Sequence, residues 1–276
     1  MNNVATITWL TLHEARRRRM ALAALVAGAV FLVLFGVGFS LINDELQQEG
    51  APAVVVQTAH NFILIAGLYV VHFLTIMLTI TTSVGTISGE ISSHTIQTIV
   101  TKPIERWQVV FGKWLGFAAM LITYLFLLAG GLLLITYLLV GYVPPNPLQG
   151  VLLLMLEALV LLSLSLLGGM RFSTLANGVT LFMLYGLAFI GAWIEQIGAL
   201  LQSSAAVRVG IITSLLLPVE ALWRRVAYLM QPQLASSFPT PFSTSSVPSP
   251  AMVIYALGYA AVALTLAVWV FRRRDL

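Results

Sequence analysis

Six stretches of this chain, residues 20–42, 62–84, 114–140, 151–170, 175–194 and 251–271, each run for twenty residues or more, and Glu157 is the one Asp, Glu, Lys or Arg in all of them. At 1.5 Å per residue a twenty-residue helix covers about 30 Å, the depth of a bilayer's hydrocarbon core. Only helices and closed barrels satisfy every backbone polar group in lipid, and runs of this length belong to helices. The expected fold is therefore all-α, a polytopic membrane protein with six transmembrane helices, read as a single transmembrane domain over residues 1–276. Composition agrees: of 276 residues, 59% are hydrophobic and 9% charged, against about 25% charged in soluble domains. Too few charges remain to coat a globule, so lipid is the main solvent. Without cysteine the chain has no disulfide framework, thiolate metal site or catalytic thiol.

The Arg16–Arg19 cluster abuts the first run, which is longer than a signal-peptide core of roughly 7–15 residues, so this span is expected to be retained. Residues 4–19 place Trp9, Leu10 and Leu12 ahead of the arginines. That pattern reads as an interfacial helix in the headgroup layer, with a basic tail as the alternative. Basic residues favour the cytosolic side. With six spans, Arg16–Arg19, Lys102, Arg106, Lys113, Arg171 and Arg272–Arg274 fall there, eleven of the fourteen basic residues. Both termini are then cytosolic, in a cytoplasmic (inner) membrane. A seven-span arrangement, with residues 207–223 crossing, puts ten inside, so charge does not decide. Pro218, Glu220 and the short apolar run 209–219 favour six. The external segment 195–250 is expected to carry an amphipathic helix from Pro218 that rests on or dips into the outer leaflet. Val219, Leu222, Val226 and Leu229 form its apolar side, with Glu220 and Arg224 at i,i+4 opposite. Residues 231–250 hold five prolines and read as an extended loop.

Residues 85–113 form the polar interruption between the second and third runs. A break near Ser92–Ser93 resolves two opposed apolar stripes. A short helix would start at Ser93, a fair N-cap, and carry Ile96 and Ile99. Lys102 precedes Pro103 and leaves the helix. Pro103 would open the next helix with Glu105 in its first turn. Trp107 and Trp114 suit an aromatic belt.

The succession Glu90, Thr95, Lys102-Pro103, Arg106 and Gly112-Lys113 resembles the cytosolic loop of ABC-2 type transporter permeases. The six-span layout and the external helical segment are also similar. His94 stands where that family usually has glycine. The resemblance implies a cytosolic coupling helix between spans two and three, docking on a separate ATP-binding subunit. It implies Glu90, Ser93, His94, Thr95, Ile96, Ile99, Lys102, Arg106 and Lys113 as the coupling residues. It implies a second permease copy, or a paralogous permease, as dimer partner. No cofactor is expected in this chain, with ATP and Mg on the partner subunit, and no nucleic acid partner. Independently, Gly112-Lys113 lacks the earlier glycine and following Ser/Thr of a phosphate-binding loop, so an ATP-driven process needs another chain.

Two polar groups sit within spans. Glu157 is costly at that depth and is a functional candidate, or else a carboxylate bonded to a neighbouring helix. His72 is expected to contact Thr75, Thr79 or another helix rather than relay protons. The four histidines are scattered, so no metal site is expected. Ser163 and Ser165 are expected to bond back to their own helix. Gly85-x-x-x-Gly89 and Gly112-x-x-x-Gly116 match a close-contact pattern common in apolar helices. An ion- or proton-coupled carrier using Glu157 and His72, and a non-transporting membrane anchor for a soluble partner, are the alternatives to a permease.

Overall fold

The computed structural model describes residues 3–17, 19–89, 104–232 and 246–273. Among them lie nine helices: α1 (Asn3–Arg17), α2 (Arg19–Gln48), α3 (Ala53–Ser83), α4 (Arg106–Val140), α5 (Pro147–Gly169), α6 (Thr174–Leu200), α7 (Ser204–Leu216), α8 (Val219–Met230) and α9 (Ala251–Arg272). Six of them, α2 to α6 and α9, are long and apolar enough to cross a membrane. Each overlaps one apolar run and most extend past it, because an α-helix closes its own hydrogen bonds beyond the hydrocarbon edge. Hydropathy marks the lipid, not the helix end.

Sequence chemistry accounts for several termini. Gly141 stops α4 in the left-handed conformation, φ +66°, as a C-terminal glycine does. Pro147 then opens α5 at a position where its missing N–H costs nothing. Glu105 occupies the N-cap of α4 rather than its first turn. Its N–H donates to Gln108 Oε1 at 3.2 Å, and Trp107 Nε1 donates to its carboxylate. The helix expected from Pro103 thus starts at Arg106. The helix over the second apolar run gives way after Ser83 to a turn over residues 84–87.

The bundle has two recognisable ends. At one, Arg106 Nη1 donates to the Arg272 carbonyl at 2.9 Å, Gly85 lies against Thr174, and Asn3 bonds Gln108. This loop end therefore gathers α1, the end of α9, the α5–α6 turn and both flanks of residues 90–103. At the far end, Asn61 Nδ2 donates to the Tyr142 hydroxyl at 2.9 Å and to the Met230 carbonyl at 3.0 Å.

Helices α7 and α8 occupy the segment expected to rest on or dip into the outer leaflet. They are bent by 108° at a short break. Pro218 supplies that break and caps α8. α7 starts beside Gly198 at the far end and packs down along α6. Gly191 and Gly210 make this possible: a Cβ on Gly210 would stand 2.7 Å from the Gly191 carbonyl oxygen. α8 then returns, and its Met230 lies on Gly150 near the start of α5. The pair enters and leaves by the same end, so it is re-entrant and does not make a seventh crossing. Its expected two-sidedness is present, but Glu220 and Arg224 are buried, not turned to water. The polar stripe faces the bundle because other buried charges wait there.

α1 docks on α4. Ile7, Thr11 and Ala15 form its buried stripe at helical spacing. Gly112 and Gly116 receive it: added Cβ atoms would stand 2.8 Å from Ile7 Cβ and 2.7 Å from Thr11 Cβ. Thr8 Oγ1 donates to the Gly112 carbonyl at 3.1 Å. The helix expected to lie in the headgroup layer is thus held along the first turns of α4, with Trp9 and Leu10 exposed. Of the two glycine pairs, 112/116 makes a close helix contact. Gly116→Leu should overpack this seam and cost about 1–3 kcal/mol. A lowered thermal midpoint, with faster proteolysis within residues 3–17, is the expected result. An unchanged midpoint would mean that α1 is not seated there.

Candidate functional site

Among the described residues the bundle interior holds two groups of buried charged side chains. The first joins three helices. His72 on α3 faces Glu157 on α5, with Nδ1 2.7 Å from Oε2, and Glu220 on α8, with Nε2 3.4 Å from Oε1. All three residues are at most 3% exposed. Glu157 is ten residues from Pro147 and twelve from Gly169, hence about 15 and 18 Å from the two ends of α5. Glu157 therefore sits near the middle of α5. Glu220 lies in the first turn of α8, where free backbone N–H groups favour a carboxylate.

Aromatic rings wall this group. Trp223 and Tyr69 stand 5.1 and 5.8 Å from the His72 ring, and Tyr185 of α6 stands 6.4 Å away. Thr75 and Thr79 do not bond His72. Their hydroxyls return to the carbonyls of Val71 and Thr75 at 2.8 and 2.7 Å. His72 therefore takes the inter-helix contact. Glu157 Oε1 is buried with no hydrogen-bond partner among the described residues.

The second group ties the re-entrant pair to α6 and to the approach to α9. Arg224 makes a two-pronged contact with Glu195, Nη1 to Oε1 at 2.6 Å and Nη2 to Oε2 at 2.8 Å. This fork-to-fork geometry is the strongest ion-pair arrangement available to arginine. Arg224 Nη2 also donates to Ser214 at 3.2 Å. The Ser246 hydroxyl donates to Glu195 Oε1 at 2.6 Å, and its backbone N–H to Gln196 at 3.2 Å. Arg225 Nη1 donates to the Pro248 carbonyl at 2.9 Å. Two adjacent arginines thus hold residues 246–248 just before α9.

Of the residues singled out in sequence, Glu90, Ser93, His94, Thr95, Ile96, Ile99 and Lys102 lie outside the described residues. Arg106 reaches the Phe271 and Arg272 carbonyls, which places a cation at the negative end of the α9 dipole. Lys113 is buried. Ser163 bonds back to Leu159, as expected, and also accepts from Trp114 Nε1 at 2.9 Å. Trp114 is thereby turned into the bundle. Ser165 differs: its hydroxyl accepts from Ser83 at 2.7 Å, linking α5 to α3. Neither Glu195 nor the grouping of Glu220 with His72 is visible in sequence. Glu195 follows the fifth apolar run directly and reads as a loop residue until α6 is seen to continue to Leu200.

A separate cavity of about 400 Å³ opens at the far end, lined by Gln47, Gln57, His60 and Tyr142 among others. Burial raises the Tyr142 phenol above its ordinary value, opposed by its hydrogen bond with Asn61. Among the described residues no group of three or more His, Cys, Asp or Glu is arranged to hold a metal ion.

Six helices long and apolar enough to cross a membrane, packed around buried charged side chains, are the architecture of a polytopic membrane protein. A family model described as ABC-2 family transporter protein matches residues 8–276, and the chain belongs to that family. It is a membrane permease subunit, a transport component without a catalytic nucleotide-binding motif of its own. A search of curated proteins returned no match.

Proposed function

We propose that this permease moves a substrate across the cytoplasmic membrane as a dimer driven by separate ATP-binding subunits, which carry the ATP and Mg. Pairing with ATPase subunits and dimer formation are general in the family. The coupling site is the segment between α3 and α4: Glu90, Ser93, His94, Thr95, Ile96, Ile99 and Lys102, with Arg106 and Lys113 fixing its exit. The loop end is the cytosolic side.

The observation that carries this reading is the gathering at one end of both flanks of residues 90–103, α1 and the last turn of α9. Eleven of the fourteen basic residues belong to that side by the six-span count, as cytosolic faces require. Arg106 gives the segment a mechanical hold: it opens α4 and grips the end of α9. A push on the segment is then shared between two spans rather than absorbed by a free loop. Trp9 and Leu10, exposed on α1, suit contact with the headgroups on that side.

Purification of the full chain from its native membrane tests this. The expected result is co-purification of a nucleotide-binding protein and substrate movement in vesicles that requires ATP. Transport by the pure chain with no nucleotide-hydrolysing companion would overturn the reading in favour of a carrier.

A further inference from the structure

The re-entrant pair is fastened into the bundle core by an arrangement whose proton count is fixed by geometry. His72 has a carboxylate oxygen opposite each ring nitrogen, from Glu157 on one side and Glu220 on the other. A neutral imidazole donates from one nitrogen and presents a lone pair at the other. Against two ionised carboxylates, that lone pair would face an anion in a site almost closed to water. Such an unmatched contact is costly at low dielectric. Both contacts are satisfied only with one more proton, on the imidazole or on one carboxyl.

We propose that His72, Glu157 and Glu220 form a proton-binding site that, beside the Arg224–Glu195 pair, holds α8 in the bundle, so that losing the proton weakens the docking of α8. The three residues come from α3, α5 and α8, and Glu220 is the one that leaves if α8 withdraws. The titratable groups facing His72 are Tyr69 on its own helix, Glu157 on α5, Tyr185 on α6 and Glu220 on α8. Four residues further along α8, Arg224 is matched by Glu195 and does not neutralise the two carboxylates. With the proton gone, Glu157 and Glu220 repel across the imidazole, and Glu157 Oε1 has no partner among the described residues to offset it.

The sign follows by linkage. The docked state binds more protons than the released one, so docking is complete at low pH and weakens as pH rises. This site does not depend on the ATP-driven reading: it is a property of the chain alone, with the proton as its ligand.

The absence of cysteine allows a direct test. Spin labels at Leu152→Cys on α5 and Tyr228→Cys on α8, both exposed positions, report the α5–α8 distance in the full chain in lipid nanodiscs. Labelling is done at one pH and distances are then measured from mildly acidic to mildly alkaline pH. The expected result is a single short distance in acid and a second, longer population that grows with pH. Glu220→Gln in the same background keeps the shape, removes the charge and should leave the short distance at every pH. A distribution that does not change with pH in the parent background overturns the proposal. So does a pH response that persists unaltered in E220Q, since another group would then carry it.

Discussion

Arg224→Met should destabilise the folded bundle by about 3–5 kcal/mol, the cost of leaving one member of a buried ion pair behind. Glu195 and Arg224 have side chains 4% and 6% exposed, with both guanidinium–carboxylate prongs formed. Methionine fills most of the arginine's volume, so the loss is chiefly electrostatic. Among the described residues the Glu195 carboxylate then keeps the Ser246 hydroxyl, which does not balance a charge. The double variant Arg224→Met with Glu195→Leu removes both charges and should regain most of the loss, because an apolar pair in such a site is often neutral or stabilising. Thermal unfolding of the single and double variants in nanodiscs checks this. A single-variant loss under about 1 kcal/mol would match an exposed pair and contradict the buried geometry. The consequence is local as well as global: α6, α8 and residues 246–248, just before α9, meet at this pair.

Much of the fold was legible because lipid imposes it. A span needs about twenty apolar residues whatever its neighbours do, and all six runs correspond to helices. The caps at Gly141 and Pro147 follow from φ preference and the missing proline N–H, both local properties. The re-entrant pair was harder. Pro218 and the i,i+4 pair Glu220–Arg224 signal a break followed by a two-sided helix, but periodicity does not say which side is buried. In water the polar side faces out. Inside a membrane protein a polar stripe turns inward when partners exist there, and those partners, His72, Glu157 and Glu195, sit 148, 63 and 25 residues away from Glu220 in the chain. The docking of α1 was equally non-local. Gly112 and Gly116 match a pattern that recurs by chance in apolar helices, and only Ile7 and Thr11 seated against them make it a contact.

Ile96→Asp with Ile99→Asp should abolish stimulation of the partner ATPase while leaving the chain inserted and α1 to α9 intact. These residues form the apolar stripe of the proposed coupling segment, three apart in sequence and hence on one face if the segment is helical. Burying an isoleucine contributes roughly 1.5–3 kcal/mol, and each 1.4 kcal/mol is a tenfold change in affinity. Losing two such anchors therefore weakens docking by about a hundredfold or more, before the cost of burying two carboxylates is added. A matched variant, Arg106→Ala, separates docking from transmission. It removes the hold on the Phe271 and Arg272 carbonyls without touching the apolar stripe. The partner should still bind R106A with ordinary affinity, but ATP hydrolysis should drive less transport per turnover. Co-purification reports the first effect, and the ratio of substrate moved to ATP hydrolysed reports the second. If the double aspartate variant still binds and stimulates the ATPase, the coupling surface lies elsewhere at the loop end. If R106A leaves that ratio unchanged, α9 takes no part in carrying the stroke from the cytosolic segment to the far side.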